Sequence, residues 1–216
     1  MFKPREARKS LSRYRRKGLD TIERRMVASV PATALDGASI LEIGGGIGAI
    51  QAEFLAAGAN RGEIIELVSA YEPYARELAH EKGLDNRSTF RVADILDEPE
   101  DVAPRDIVVL NRVVCCSPDG VQLTGFAARH SERMLLLSFP RDLVLVRAVA
   151  LVMNGMLRLV GRSFRVFVHP RSSLYAAAQA EGLALAKTGH RIAWEFAAFR
   201  RVLPKSTGSA RLVPKS

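Results

Sequence analysis

The sequence predicts an α/β protein built on a mostly parallel sheet, and three observations carry that reading. Short apolar runs alternate with helix-period segments along most of the chain, the pattern of strands joined by crossover helices. The first run, "SILEI" at Ser39 to Ile43, opens directly into "GGGIGAI", so a strand meets a glycine turn and then a helix N-terminus. The chain closes on two extended runs, Leu183 to Thr188 and Ile192 to Val202, separated only by Gly189 and its neighbours, which predicts an antiparallel hairpin.

Each element has a local reason. Helical spacing covers Arg5 to Lys17 and Leu19 to Ser29, and Pro31 ends the second helix. Strand one is Ser39 to Ile43, too short for a helix and apolar enough for a buried strand, and its helix runs through Gly58. Strand two is Glu63 to Val68; the next helix starts at Pro73, a residue suited to a first turn, and stops at Gly83. Strands three, four and five fall at Ser88 to Ala93, Asp106 to Leu110 and Met134 to Phe139, with a helix from about Pro118 to His130 before the last. Beyond Pro140 an apolar helix and an extended piece, Phe164 to Val168, lead to a helix at Ser172 to Gly182. The expected organisation is a basic helical arm or lid over 1–30 and one domain over 31–203. That domain carries an apolar helical insertion or cap at 141–168, and a disordered tail follows at 204–216.

Composition sets outer bounds. A chain of 216 residues, 48% hydrophobic, can bury one sizeable core. Its two cysteines, Cys115 and Cys116, are adjacent, which excludes a disulfide framework and fits a reducing, cytoplasmic setting. The charged N-terminus is not followed by the apolar run of a signal peptide. The net charge of +9 is uneven: Met1 to Lys17 carries eight basic residues against Glu6, Gly18 to Pro140 eleven against nineteen acidic, and Arg141 to Leu203 ten against three. If the basic arm and the Arg141 to Arg171 segment both fold over the acidic centre, they would attract an anionic substrate or membrane surface, unless the cations belong simply to solvated helix faces. The stretch Leu143 to Gly161 is nearly all apolar, with Arg147, Asn154 and Arg158 on one narrow helical face. It reads as a buried core helix, a cap over a large apolar substrate, or a peripheral membrane contact.

The ligand follows from the glycine turn. Gly44, Gly46 and Ala49 satisfy G-x-G-x-x-G/A, and Glu66 ends strand two at a suitable distance, as in a dinucleotide site. Glu42, two residues before Gly44, extends the pattern through Gly48 to E-x-G-x-G-x-G, and a carboxylate there suits a cationic ligand rather than a pyrophosphate. Asp94 closes strand three, placed to accept from an exocyclic adenine amine. These residues resemble the class I S-adenosylmethionine-dependent methyltransferases over roughly Ser39 to Val202. The resemblance implies a Rossmann-like seven-stranded sheet of order 3-2-1-4-5-7-6 with strand seven antiparallel. It also implies S-adenosyl-L-methionine as cofactor: Glu42 and Gly44, Gly46 and Gly48 at its methionine end, Glu66 on the ribose hydroxyls, Asp94 and Ile95 framing the adenine, and Asn111 with Arg112 facing methionine and substrate.

The acceptor is less defined. "LNRVVCCSP" after strand four is neither the N-P-P-aromatic of amine methylation nor a Pro-Cys nucleophile. "YRRKGLD" at Tyr14 to Asp20, "LLLSFP" at Leu135 to Pro140 and "FVHPRSSLYAAAQAEGL" at Phe167 to Leu183 are similar to the magnesium-protoporphyrin O-methyltransferases. In that family a tyrosine-bearing N-terminal helix caps the substrate, which implies Tyr14 at the acceptor; that family's His-Tyr-Pro after strand four is here Cys116-Ser117-Pro118. A carboxylate acceptor needs no base, whereas a hydroxyl would need one, for which Tyr14 and His169 are the candidates. No cluster has metal-ligand spacing. The sequence therefore reads as a methyltransferase for a small or medium, anionic organic acceptor, O-methylation favoured. The rivals are an RNA methyltransferase and a non-catalytic nucleotide-binding protein.

Overall fold

A computed structural model of the protein describes residues 4–97, 102–162 and 164–202. In chain order the elements are α1 (Pro4–Lys17), α2 (Thr21–Val27), α3 (Ala32–Leu35), β1 (Ser39–Ile43), α4 (Ala49–Ala56), β2 (Arg61–Glu66), α5 (Glu72–Glu81) and β3 (Ser88–Val92). There follow β4 (Arg105–Asn111), α6 (Gly120–Arg129), β5 (Ser131–Pro140), α7 (Val144–Leu159), α8 (Arg171–Ala180), β6 (Leu183–Arg191) and β7 (Trp194–Arg201). The seven strands lie in the order β3-β2-β1-β4-β5-β7-β6, parallel except that β7 runs against both β5 and β6. The sheet is the one implied by the class I methyltransferase resemblance.

Both faces of the central strands are buried, while the edge strands β3 and β6 are largely open, and the two-residue period of a strand deals side chains to the two faces in turn. Ile40, Ile107, Val109, Met134, Leu136 and Phe196 point to the side covered by α1, α2, α4 and α5, where Leu11, Met26 and Phe54 fill the core. Leu41, Ile43, Val108, Leu110, Leu135 and Phe199 point to the other, where α6 and α8 supply Phe126 and Leu174. A strand read as near-continuous apolar residues is thus explained by having no solvent face.

Several boundaries differ from expectation for identifiable reasons. The one-turn helix α3 has no sequence signal beyond Pro31 before it. β5 begins at Ser131 rather than Met134 because its polar start is paired: Arg201 donates to the Ser131 carbonyl from both Nε (2.8 Å) and Nη2 (2.5 Å). The piece 164–168 is irregular rather than extended into a strand; its anchor is Asn154, which donates to the Val166 carbonyl and accepts from the Val166 amide, each at 2.8 Å. The tail at 204–216 lies outside the described residues.

The structure removes the reading of 143–161 as a core helix. Of α7 only Ala150 is buried, while Leu145, Val152 and Leu159 are 74%, 62% and 88% exposed. The arm, by contrast, is docked: Ala7, Leu11 and Tyr14 of α1 are buried, and Arg15 pairs with Glu77 and Glu81 of α5.

At the start of α2, Asp20 accepts from the amides of Ile22 (2.9 Å) and Glu23 (3.0 Å), while Glu23 accepts from the Asp20 amide at 2.7 Å, a reciprocal capping box. The same two carboxylates reach the end of β4, Asp20 to the Arg112 guanidinium and Glu23 to Asn111 Nδ2 at 3.2 Å. Asp20→Ala therefore loses a cap worth about 1–2 kcal/mol and unpairs Arg112. A urea unfolding curve is expected to show a loss of at least that size, with Arg112→Ala adding less in the double variant than alone.

Candidate active site

The strand order itself makes the site. β1 is flanked by β2 on one side and β4 on the other, and the chain leaves these neighbours in opposite directions, so a crevice opens beyond the strands' carboxyl ends. The cleft there has a volume of about 520 Å³. Its walls are Gly44 and Gly46, the β2 end from Glu66 to Val68 with Tyr71, the β3 end from Ala93 to Asp97, and Arg112, Val113 and Cys116 to Asp119 after β4.

The turn after β1 needs glycine. Gly44 sits at φ +63°, and a Cβ would stand 2.6 Å from Val113 Cγ2; Gly48 sits at φ +71°, where a Cβ would stand 2.4 Å from Ile64 Cδ1. Both positions combine a left-handed backbone with close packing, so any side chain is excluded twice. Gly44 and Gly46 line the cleft, whereas Gly48 lies behind it as the N-cap of α4.

Glu66 fixes this turn from across the crevice. Its Oε2 accepts from the Gly46 amide and its Oε1 from the Val68 amide, both at 3.0 Å, so one carboxylate ties the loop after β1 to the loop after β2. Burial raises its pKa and the two amides oppose that rise. Each oxygen still has a lone pair for a ligand hydroxyl. Asp94 also lines the cleft, with Oδ1 accepting from the Leu96 amide at 3.1 Å, and Ile95 beside it is buried.

Glu42 and Asn111, expected at the ligand's methionine end, are placed elsewhere. Strand alternation puts Glu42 on the same face as Ile40, beneath the turn, where its Oε2 accepts from the Gln51 amide at 3.0 Å. Gly48 has no side chain with which to cap α4, so Glu42 supplies the missing acceptor from the strand. Asn111 turns to the interior, its Nδ2 on Glu23 and its Oδ1 accepting from Ser138 Oγ at 2.6 Å. Arg112 does line the cleft. It holds φ +60°, a costly conformation for a side-chain-bearing residue. The Ser138 hydroxyl accepts its amide at 2.9 Å, and its guanidinium lies over Trp194, 4.7 Å from the ring centre.

Neither base candidate reaches the cleft. Tyr14 is buried in the core: its hydroxyl donates to Glu53 and Lys82 Nζ stands 5.3 Å from its ring centre, so it anchors α1 to α4 and α5. Burial raises its pKa further from that of a useful base. His169 Nε2 sits 2.9 Å from the Val114 carbonyl and 3.0 Å from that of Ser117, so this nitrogen must carry the proton and donate. With the Phe167 amide donating to the Cys115 carbonyl at 2.8 Å, it pins the 113–119 wall. Sequence reasoning missed Tyr71 and that wall. Tyr71 follows Glu66 by five residues and shares a hydrogen bond with Ser10 of α1, a pairing with no sequence signature.

Electrostatically the cleft is acidic. Glu66, Asp94, Asp97 and Asp119 line it against the guanidinium of Arg112. Among the described residues no three His, Cys, Asp or Glu side chains could hold a metal ion.

Comparison with known proteins places this geometry. No family model matches the sequence, and no curated protein is matched by it. Solved structures match the fold. Magnesium protoporphyrin IX methyltransferase from Synechocystis with bound S-adenosylmethionine is 18% identical, with TM-score 0.65 over 84% of this chain and 78% of that one. An O-methyltransferase family 2 protein from Planctomyces limnophilus in complex with apigenin is 17% identical, with TM-score 0.69 over 94% and 62%. A sarcosine dimethylglycine methyltransferase assigned in Galdieria sulphuraria is 12% identical, with TM-score 0.67 over 83% and 84%. The chain has the fold of the class I S-adenosylmethionine-dependent methyltransferases.

Glu42 gives this site a pH signature. Burial raises its pKa to about 8, against the Gln51 amide, and Glu23 and Glu66 add to the rise. Between the ordinary value of 4.5 and about 8 the native protein keeps a proton that the unfolded chain has released. Stability therefore falls as pH rises through that window. Glu42→Gln, which keeps an acceptor for the Gln51 amide, is expected to flatten that decline in urea midpoints measured from pH 5 to pH 8.

Proposed function

We propose that this protein is an S-adenosylmethionine-dependent methyltransferase acting on a small or medium organic acceptor. One observation supports it above the rest: Glu66, Asp94 and the Gly44–Gly46 turn, distant in sequence, open onto a single cleft at the crevice of the sheet. The bound cofactor would supply an activated methyl group on a sulfonium. The free lone pairs of Glu66 are suited to its ribose hydroxyls, Asp94 to its adenine amine, and the acidic lining to its positive charge. The same lining disfavours the pyrophosphate of NAD.

Transfer of that methyl to an acceptor would be an in-line displacement at carbon. The protein's part is to align the two and exclude water. With Tyr14 and His169 outside the cleft, an acceptor already ionised at neutral pH fits best, because it brings no proton to remove. Its anionic group would meet Arg112, the cation on the described lining, only by sharing the guanidinium with Asp20 and at the end of the cleft away from Glu66 and Asp94; O-methylation of a carboxylate placed there is the reaction we favour. The two free thiols, Cys115 and Cys116, fit a reducing compartment. The rival reading, nucleic-acid methylation, draws on the basic arm, but the segment after β4, "LNRVVCCSP", carries neither the N-P-P-aromatic nor the Pro-Cys motif of base methylation.

Calorimetry is expected to show binding of S-adenosylhomocysteine and none of NAD. Glu66→Ala should weaken that binding by about 1.5–3 kcal/mol, the worth of hydrogen bonds to a charged acceptor. An unchanged affinity would sink the assignment.

For the acceptor, initial rates with carboxylated aromatic compounds should show a KM that climbs with potassium chloride. Arg112→Gln should raise KM by roughly tenfold or more. A KM indifferent to both salt and Arg112 would exclude an anionic acceptor.

A further inference from the structure

We propose that α7 is a membrane-surface helix, lying in the headgroup region of an anionic phospholipid bilayer. The inference stands apart from the methyl-transfer reading, since no described α7 residue lines the cleft. It begins with the way the helix divides its surface. Val146, Ala150, Asn154 and Leu157 recur at helical spacing and form the inward stripe, buried or half-buried, with Asn154 clamped to the Val166 backbone. The opposite stripe is Leu145, Val149, Val152, Met156 and Leu159, whose members are 58% to 88% exposed. Successive residues turn by about 100°, and more than half the circumference, centred on that outer stripe, carries no charge or polar side chain.

A patch of this kind on a water-soluble surface marks a contact site. Its length rules out a spanning role: the 16 residues of α7 make a rod of about 24 Å. No described helix is long and apolar enough to cross a membrane. What remains is a helix lying in the interface plane, with its apolar face among the acyl chains.

Charge identifies the occupant. Arg147 and Arg158 fall on one line along the flank of α7, and Arg162 and Arg165 follow its C-terminal end. Asp142 is the carboxylate of this stretch and is taken by Arg147 at 2.5 Å, while Arg158 and Arg162 have no carboxylate partner among the described residues. Arginine stems can lie along the apolar surface while their guanidinium groups reach lipid phosphates. A second copy of this chain is a worse occupant, because a twofold contact sets the same cationic rim against itself. α7 also leaves the sheet at the carboxyl end of β5, the end at which the cleft opens. Docking would therefore bring the cleft's side of the molecule to the bilayer.

The experiment is co-sedimentation of the full chain with vesicles of phosphatidylcholine, alone and mixed with phosphatidylserine. Binding is expected only to the mixed vesicles. Val152→Glu with Met156→Glu should weaken it at least tenfold, with thermal unfolding unchanged because both side chains are exposed. Arg158→Gln with Arg162→Gln, which leaves the apolar stripe intact, should weaken it by about tenfold or more and flatten its salt dependence. Wild-type protein left in the supernatant with phosphatidylserine vesicles overturns the proposal. So does self-association in sedimentation velocity without vesicles that the Val152→Glu, Met156→Glu variant abolishes, which would make a second copy the occupant.

Discussion

The site depends on one carboxylate. Glu66 receives the amides of Gly46 and Val68, and so extends the hold of the β1–β2 pairing, which ends with the Gly44 amide on the Ile65 carbonyl at 2.7 Å, into the two loops that follow. The left-handed glycines permit the turn; Glu66 selects its position. Because its oxygens are only half used by the backbone, the group that shapes the cleft is also the one offered to a ligand. On the proposed reading, structure and recognition would be the same interaction at this point. That is why a small parallel sheet can make a defined pocket from loops of so few residues.

A second carboxylate works from below. Glu42 caps α4 across the strand–turn–helix junction, in place of the side chain that Gly48 cannot have. The same close packing that demands glycine at 48 therefore creates the vacancy that Glu42 fills, and burial keeps that group protonated over a wide pH range. Around the other wall, Asp20 and Glu23 of α2 reach Arg112 and Asn111, and His169 donates to the carbonyls of the 113–119 loop. The left-handed backbone of Arg112 is tolerated because these partners and Ser138 over-determine it.

Charge is segregated in the folded molecule more sharply than in the chain. Four carboxylates of the central segment, Glu66, Asp94, Asp97 and Asp119, line the cleft, while the arm's cations are partly spent on α5 and those after β5 stand outside on and around α7. One chain thus presents an acidic interior to a cationic ligand and a basic, apolar exterior beside it.

The sequence by itself determined the alternation of strands and helices, and the resemblance it carries implied the order of the sheet. β1 matched from Ser39 to Ile43, and the final hairpin formed, although its turn lies at Ile192 and Ala193 and Gly189 pairs with Phe196 inside β6. The glycine turn together with Glu66 and Asp94 was legible because each lies at or just after the end of a strand, which strand geometry sends to the crevice. Tertiary structure decided the rest, since it turns on which way a side chain faces. Alternation along β1 sends Glu42 under the turn instead of into the cleft, and packing against α4 and α5 draws Tyr14 into the core. Tyr71 reaches the cleft from a turn with no motif, held by Ser10 some sixty residues earlier. For α7 the periodicity gave a helix with one polar line, but apolar character alone does not separate a core from a surface. Only the absence of packing against its outer stripe among the described residues made that distinction.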